Sequence, residues 1–493
     1  MQAPAAFERA RLARDPRFDG QFFVGVRTTG IYCRPICPAN SPKRENIEFY
    51  PTAAAASEAG FRPCLRCRPE CAPGTPAWHG TSTTVRRGLR LIAAGALDDG
   101  NVEQLSDRLG VTSRHLRRLF HRHLGASPLA VAHTQRLHFA KRLIDQTELP
   151  LGDIAVAAGY GSVRRFNDAF RKSYGRSPRE LRRRGRDQAP DVESAALTIR
   201  LHYRRPFSWR HMLDFLRPRA SPGVEAADRE YYRRSVSVDG ESGVIEVSHD
   251  ANAEALTLGV YGIHTGGLFA VVQQVRELFD LDAPVADIAA VLRGDPVLRP
   301  LLKRRPGVRV PGAWDPFELA VRGIVGQQIS VKAATTLAGR IVERYGAPLD
   351  AKLAGRFAAH GLTHVFPPAA KLRRAHFNDM GLVGARIQTI RSLAAAVDDG
   401  ALDFDSSADP DAIRSALLDI RGIGDWTAQY IAMRALKHPD AFPSSDLGLL
   451  RAFDGPAGRR LTPKALKRRA ESWRPWRAYA AILLWSSTPD AGG

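Results

Sequence analysis

All five cysteines of this 493-residue chain lie between positions 33 and 71. Four of them form two close pairs, Cys33-x3-Cys37 and Cys64-x2-Cys67. Four thiols in two short-spaced pairs make the donor set of a tetrahedral soft-metal site, and one zinc ion suits it. A domain of about seventy residues gains much from such a staple, because metal binding adds directly to a small fold's stability. Cys71 matches neither pair. A second group lies near the far end, in "LLDIRGIGDWTAQYIAMRALKHPDAFPSSD" at 417–446. There Gly422-x-Gly424 separates two apolar-periodic stretches, and glycines in such a turn let bare backbone N–H groups approach a phosphate. The same pair also suits an ordinary helical hairpin.

The formal net charge is +21. An excess of that size favours a polyanion, and double-stranded DNA is the expected partner. At 44% hydrophobic and 25% charged residues, the composition is that of a globular chain. It holds no apolar run long enough to span a membrane. The opening "MQAPAAFERARLARDP" lacks the apolar stretch of a secretory leader, so the expected location is the bacterial cytoplasm, on the nucleoid, with reduced thiols.

Positioning these groups takes several units. "APGTPAWHGTS" (72–82) and "RRRGRDQAPDVES" (182–194) read as linkers. Between them, "NVEQLSDRLGVTSRHLRRLFHRHLG" (101–125) repeats apolar residues at helical spacing, with Gly110 between two helices. A second copy follows in "LPLGDIAVAAGYGSVRRFNDAFRKSYGRSPRELRR", joined to the first by "LAVAHTQRLHFAKRLI". Each copy has helix-turn-helix spacing. "ALTIRLHY" and "SGVIEVSHD" then alternate with a period of two, as strands do, before helical patterns return from Thr265.

Three resemblances give these segments roles. "FFVGVRTTGIYCRPIC", "ENIEFYP" and "AGFRPCLRC" closely resemble the N-terminal domain of the Ada family, over residues 7–72. The resemblance implies that Cys33 is both zinc ligand and acceptor of a methyl group from a DNA methylphosphotriester. It also implies DNA contacts at Thr29 and Arg62. Two family arginines are replaced here by Pro38 and Asn40, and Lys43 and Arg44 are the cations that could stand in for them. The helical pair resembles an AraC-type DNA-binding domain, with recognition helices over roughly 113–121 and 162–173. Arg114, His115, Arg117, Arg164, Arg165 and Asn167 are then the candidates to face DNA, whether they read bases or touch phosphate.

"RPFSWRHMLDFLRPRA", "DREYYRRSVSVDG", "AVRGIVGQQISV" and "ESWRPWRAYAAILLW" resemble the AlkA-type helix-hairpin-helix DNA glycosylases, over about 197–489. By that resemblance Asp446 is the catalytic carboxylate, and Trp426, Tyr430 and Trp485 line the base pocket. Gly422 and Gly424 contact the DNA backbone. Phe215 and Trp209 are further pocket candidates for which core packing is an equal reading. Gln328 stands where relatives carry an apolar wedge. Strand-cutting relatives carry a lysine where this chain has Trp426, so water is the expected nucleophile.

The expected fold is multidomain α+β. It comprises a small α/β zinc domain (1–75), an all-α double helix-turn-helix domain (83–185), a small mixed α/β domain (195–300) and a mainly helical helix-hairpin-helix glycosylase domain (301–489). The expected function is an activator of the alkylation response, acting at promoters with RNA polymerase, that also removes methyl groups from phosphotriesters and excises alkylated bases. The alternative is a regulator whose glycosylase half only binds DNA.

Overall fold

The computed structural model describes residues 4–73, 83–98, 100–185, 197–404, 410–453 and 461–487. Most of both linker stretches, at 74–82 and 186–196, lies outside them. The chain forms two compact units. One comprises Met1–Arg205 and Asp250–Gln273, the other Pro206–His249 and Gln274–Gly493. Among the described residues no helix is long and apolar enough to cross a membrane.

In the first unit, strands Ile47–Tyr50, Phe23–Val26, Ile31–Cys33 and Arg62–Pro63 lie side by side in that order. The middle two pair antiparallel with Val24 opposite Cys33, and Arg62–Pro63 runs parallel to Ile31–Cys33. Helix Ala53–Glu58 starts at Thr52, whose hydroxyl caps the Ala55 N–H. Its alanines are buried, and Ala54 and Ala55 join the apolar core of the first helix-turn-helix.

That motif is Val102–Arg108 and Ser113–Leu124; its repeat is Leu151–Ala157 and Val163–Tyr174. Asn101 closes a capping box with Gln104, and Thr112 and Ser162 cap the two recognition helices. Gly125 and Gly175, in left-handed backbone, stop them. Both helices therefore run past their expected ends at 121 and 173. Between the motifs lies the long helix Pro128–Gln146. It carries a buried charge cluster in which Lys141 pairs with Asp145 and Glu70, and Asp145 also accepts from Arg68. The Tyr32 hydroxyl meets His138 Nε2 at 2.9 Å. Burial pushes that imidazole down to about 3, so it stays neutral. Strand Leu197–His202 pairs antiparallel with Ala255–Tyr261, and the Arg200 N–H donates to the Gln146 side chain at 2.8 Å.

In the second unit, strand Tyr231–Val238 pairs antiparallel with Glu225–Ala227 and with Glu241–Asp250. The rest is mainly helical, around a large apolar core that includes Ile324, Leu393, Ile431, Trp473 and Leu484. Strands and helices thus make the α+β architecture expected. A buried charge cluster ties the strands to helix Pro316–Val325. Arg322 donates to Glu225 at 2.8 Å and Glu318 at 2.9 Å, Arg234 donates to Glu318 at 2.7 Å, and the Tyr232 hydroxyl donates to Glu225 at 2.6 Å. Burial alone would raise the Glu225 carboxyl, but Arg322, Arg234 and these hydrogen bonds outweigh it and hold it down at about 2.

A depressed carboxyl stabilises the fold above its unfolded value and loses that contribution as pH falls through its folded value. Glu225 should therefore cost the second unit stability as pH drops from about 4.5 to about 2. Urea melts of wild type and Glu225→Gln across that window should converge at low pH; a gap that stays constant would remove Glu225 as the source.

Candidate functional sites

Cys33 ends the strand Ile31–Cys33, and Cys64 follows the parallel strand Arg62–Pro63. The Cys64 N–H donates to the Tyr32 carbonyl at 3.1 Å, which sets the two sulfur-bearing strand ends side by side. Each pair then closes on a short turn. The Cys37 N–H donates to the Arg34 carbonyl, and the Arg68 N–H to that of Cys64, both at 3.1 Å. Arg68 takes left-handed backbone, φ +53°, to complete the second turn. The four ligand atoms lie within 4.8 Å of one another. Tetrahedral zinc at about 2.3 Å per sulfur needs sulfurs about 3.8 Å apart, so the donor set fits.

The thiols also need a cation. Hydrogen bonds from Cys33 and its neighbours pull Cys37 down to about 7 and Cys64 well below the thiol range. Cys33 and Cys67 are pushed up by the sulfurs beside them. By itself the cluster resists four negative charges, and a divalent cation at its centre removes that resistance. Cys71 is buried away from the four, which raises its thiol.

Arg34 was not singled out in the sequence, although it directly follows Cys33. Its backbone N–H donates to Cys67 Sγ at 3.3 Å, and its guanidinium to the Cys67 carbonyl at 3.0 Å. The guanidinium is held by both carboxylate oxygens of Asp19. It puts a fixed positive charge and an N–H···S bond against the sulfurs. Thr29 is exposed in the hairpin turn before Gly30. Arg62 is also exposed, and its N–H donates to the Gly30 carbonyl, so the two lie at the same end of the sheet. Lys43 is 81% exposed, but Arg44 is tied down, 3.8 Å from Glu8 and 5.1 Å from the Phe49 ring centre.

On the recognition helices Arg114, Arg164 and Arg165 are exposed, while His115 and Asn167 are half-buried. Arg117 is exposed yet paired with Glu103 at 3.0 Å, so it has an ion-pair partner to give up.

The second site is built by three helix ends. Helix Pro410–Asp419 leads into a turn where Gly422 has φ +98°, and a Cβ there would sit 2.0 Å from Thr389 Oγ1. Gly424 then caps helix Asp425–Arg434, with open space around its Cα. Asp446 caps helix Leu447–Arg451. One of its oxygens accepts the Trp426 indole N–H at 2.8 Å; the other accepts the Trp485 indole N–H at 2.8 Å and the Leu449 N–H at 2.9 Å. Trp426 lies parallel to Tyr430, ring centres 5.3 Å apart, and Trp485 leans on Tyr430 at 6.4 Å. The carboxylate and all three expected aromatic residues therefore come together.

Beside them a cavity of about 300 Å³ is lined by Met212, Phe215, Arg219, Pro311 and Trp485, among others. Phe215 belongs to that wall. Trp209 is core instead: it is buried against Phe279 at 5.2 Å and donates to the Glu230 carbonyl. Gln328 is exposed between helices Pro316–Val325 and Val331–Tyr345, in left-handed backbone at φ +57°. Its neighbour Gln327 donates to the Gly422 carbonyl at 2.9 Å and to Thr427, which fixes the bend to the hairpin.

Residues 6–70 match the metal-binding domain of Ada, residues 105–184 a helix-turn-helix domain, and residues 198–315 the AlkA N-terminal domain. The chain is 41% identical over 485 residues to the probable bifunctional transcriptional activator/DNA repair enzyme AlkA of Mycobacterium tuberculosis, covering 97% of this chain and 95% of that one. It is 32% identical over 292 residues to DNA-3-methyladenine glycosylase 2 of Escherichia coli, covering 58% of this chain and 95% of that protein. Over 119 residues it is 43% identical to the bifunctional transcriptional activator/DNA repair enzyme Ada of Escherichia coli, 24% of this chain and 32% of that one.

Metal analysis should find one zinc per chain, and chelation should lower the melting temperature of the first unit. Cys71→Ser should keep the metal and Cys64→Ser should lose it; zinc lost from Cys71→Ser would move the ligand set.

Proposed function

The chain belongs to the family of bifunctional transcriptional activator/DNA repair enzymes of the AlkA type, and from that premise we propose that its two centres repair different parts of alkylated DNA. The four-sulfur centre takes methyl groups from DNA methylphosphotriesters on Cys33. The second hydrolyses the N-glycosidic bond of alkylated bases of the 3-methyladenine and 7-methylguanine type. The work divides among four domains: zinc (1–75), promoter-binding (83–185), small α/β (195–300) and glycosylase (301–489). The setting is the bacterial cytoplasm, on the nucleoid.

At the first centre the Cys33 sulfur attacks the methyl carbon. The carbon–oxygen bond breaks, its electron pair stays on the phosphate oxygen, and Cys33 becomes a thioether. Nothing in the reaction reverses it, so each chain acts once. Bound zinc keeps the four sulfurs deprotonated. With zinc held by Cys33, Cys37, Cys64 and Cys67 the four thiolates would leave a formal charge of about −2, and a thioether at Cys33 would make it about −1, so repulsion of DNA would fall. Thr29 and Arg62 then meet phosphate, the recognition helices hold promoter DNA more tightly, and RNA polymerase is recruited.

At the second centre the observation that carries the reading is Asp446, with both oxygens held by indole N–H groups beside stacked rings. A cationic alkylpurine leaves readily. The oxocarbenium-like sugar is stabilised by the Asp446 carboxylate, and water adds to the sugar carbon and gives up a proton to solvent. Trp426, Tyr430 and Trp485 receive the flipped base, Phe215 completes the wall, and Gly422 and Gly424 take the DNA backbone. Gln328, aimed outward by its bend, enters the gap the base leaves. Water is the nucleophile: Trp426 stands in the lysine position, and Lys437 is drawn to the Glu277 carbonyl at 2.7 Å. The product is an abasic site on an uncut strand.

Methylated DNA incubated with the protein should yield both free alkylated bases and a methyl group on Cys33. Cys33→Ser should abolish the thioether and spare base release. Asp446→Asn should do the reverse, lowering base release by about a hundredfold or more. Base release by Asp446→Asn at the wild-type rate would return the second unit to a DNA-binding role alone. Borohydride should trap no covalent adduct on alkylated DNA; an adduct that requires Lys437 would refute the water route.

A further inference from the structure

Arg434 has no part in the chemistry above, yet it is 3% exposed and sits directly behind the aromatic cluster. Its Nε donates to the Pro311 carbonyl at 2.9 Å, one terminal nitrogen to the Gly312 carbonyl at 2.8 Å, and the other to the Tyr430 hydroxyl at 2.6 Å. The guanidinium carbon lies 5.0 Å from the Phe215 ring centre and 5.5 Å from that of Tyr430. Arg219 stands over Phe215 at 4.1 Å and lines the cavity. Behind these, Arg322 and Arg234 are paired with Glu225 and Glu318. Four guanidinium groups thus stand with three carboxylates, those of Glu225, Glu318 and Asp315, and the wall behind Tyr430 keeps a net positive charge. Burial raises the Tyr430 hydroxyl, but Arg434 and Arg219 overcome this and pull it below its ordinary value.

Resting on the glycosylase reading above, we propose that Arg434 is a positioning residue that sets the choice between neutral and cationic bases. When the bond from the sugar carbon to the base nitrogen breaks, its electron pair goes to the base. A cationic alkylpurine then becomes neutral and needs no help. A neutral base departs as an anion until water protonates it. A fixed positive charge behind the Tyr430 ring stabilises that anion and opposes entry of a cation. The guanidinium lies 5.5 Å from the Tyr430 ring centre, so a base stacked beyond that ring is on the order of 9 Å from it, where at an effective dielectric of about 20 a unit charge changes a rate on the order of tenfold. Arg434 also holds Pro311, which lines the cavity, and the Tyr430 ring in fixed relation.

The test compares kcat/KM on duplexes carrying one 7-methylguanine, which is cationic, or one hypoxanthine, which is neutral, at the same position. The neutral-to-cationic ratio does not depend on the fraction of active protein. Arg434→Met should lower it at least tenfold, while Arg434→Lys, which keeps the charge and loses the fork, should leave it within about threefold. Should Arg434→Met release neither base, wild-type inhibition decides: neutral 9-methylguanine should inhibit at concentrations at least tenfold lower than the 7,9-dimethylguaninium cation. A ratio unmoved by Arg434→Met, no release of hypoxanthine by wild type, or equal or stronger inhibition by the cation would overturn the proposal. Release of neither base by wild type would instead overturn the glycosylase reading.

Discussion

A half-buried carboxylate among aromatic rings must have donors for both oxygens, and in the second unit that requirement organises its surroundings. Asp446 meets it with two indoles and the N–H of Leu449. Each donor comes from a different helix, so three helix ends are pinned to one acceptor. An indole N–H is rigid with its ring, so accepting it also orients the ring. Trp426, so oriented, lies within 6° of parallel to Tyr430, and Tyr430 passes the constraint to Arg434 through its hydroxyl.

What could be read from the sequence is what is written in short spacings. Paired cysteines and the glycines at 110 and 422 each specify a local conformation without help from afar. The carboxylate and its aromatic neighbours were legible only through family resemblance, because Trp426 and Trp485 are far apart in the chain. The buried charges were not legible at all. Glu225, Arg234, Glu318 and Arg322 look like surface residues in the sequence, and only mutual pairing makes their burial tolerable. Trp209 and Phe215 share helix Trp209–Leu216 but lie six residues apart, so they face different ways. The period predicts that difference; which face meets the cavity is a tertiary fact.

In the first unit the turn that follows Cys67 ends in Arg68 and Glu70, which enter the charge cluster of helix Pro128–Gln146. The same helix reaches His138 and Tyr32, next to Cys33. Both cysteine pairs are therefore braced against the element that joins the two helix-turn-helix motifs.

The turn at Gly422 carries a further implication, for how such a chain can change over generations. Any side chain there meets the Thr389 hydroxyl and a backbone angle that L-residues resist. Thr389 in turn is held by the carbonyls of Ala385 and Arg421. Replacing the glycine first creates a collision; replacing the threonine first leaves the Arg421 carbonyl without that donor. Neither single step is neutral, so the two positions form a lock that mutation one residue at a time does not readily open.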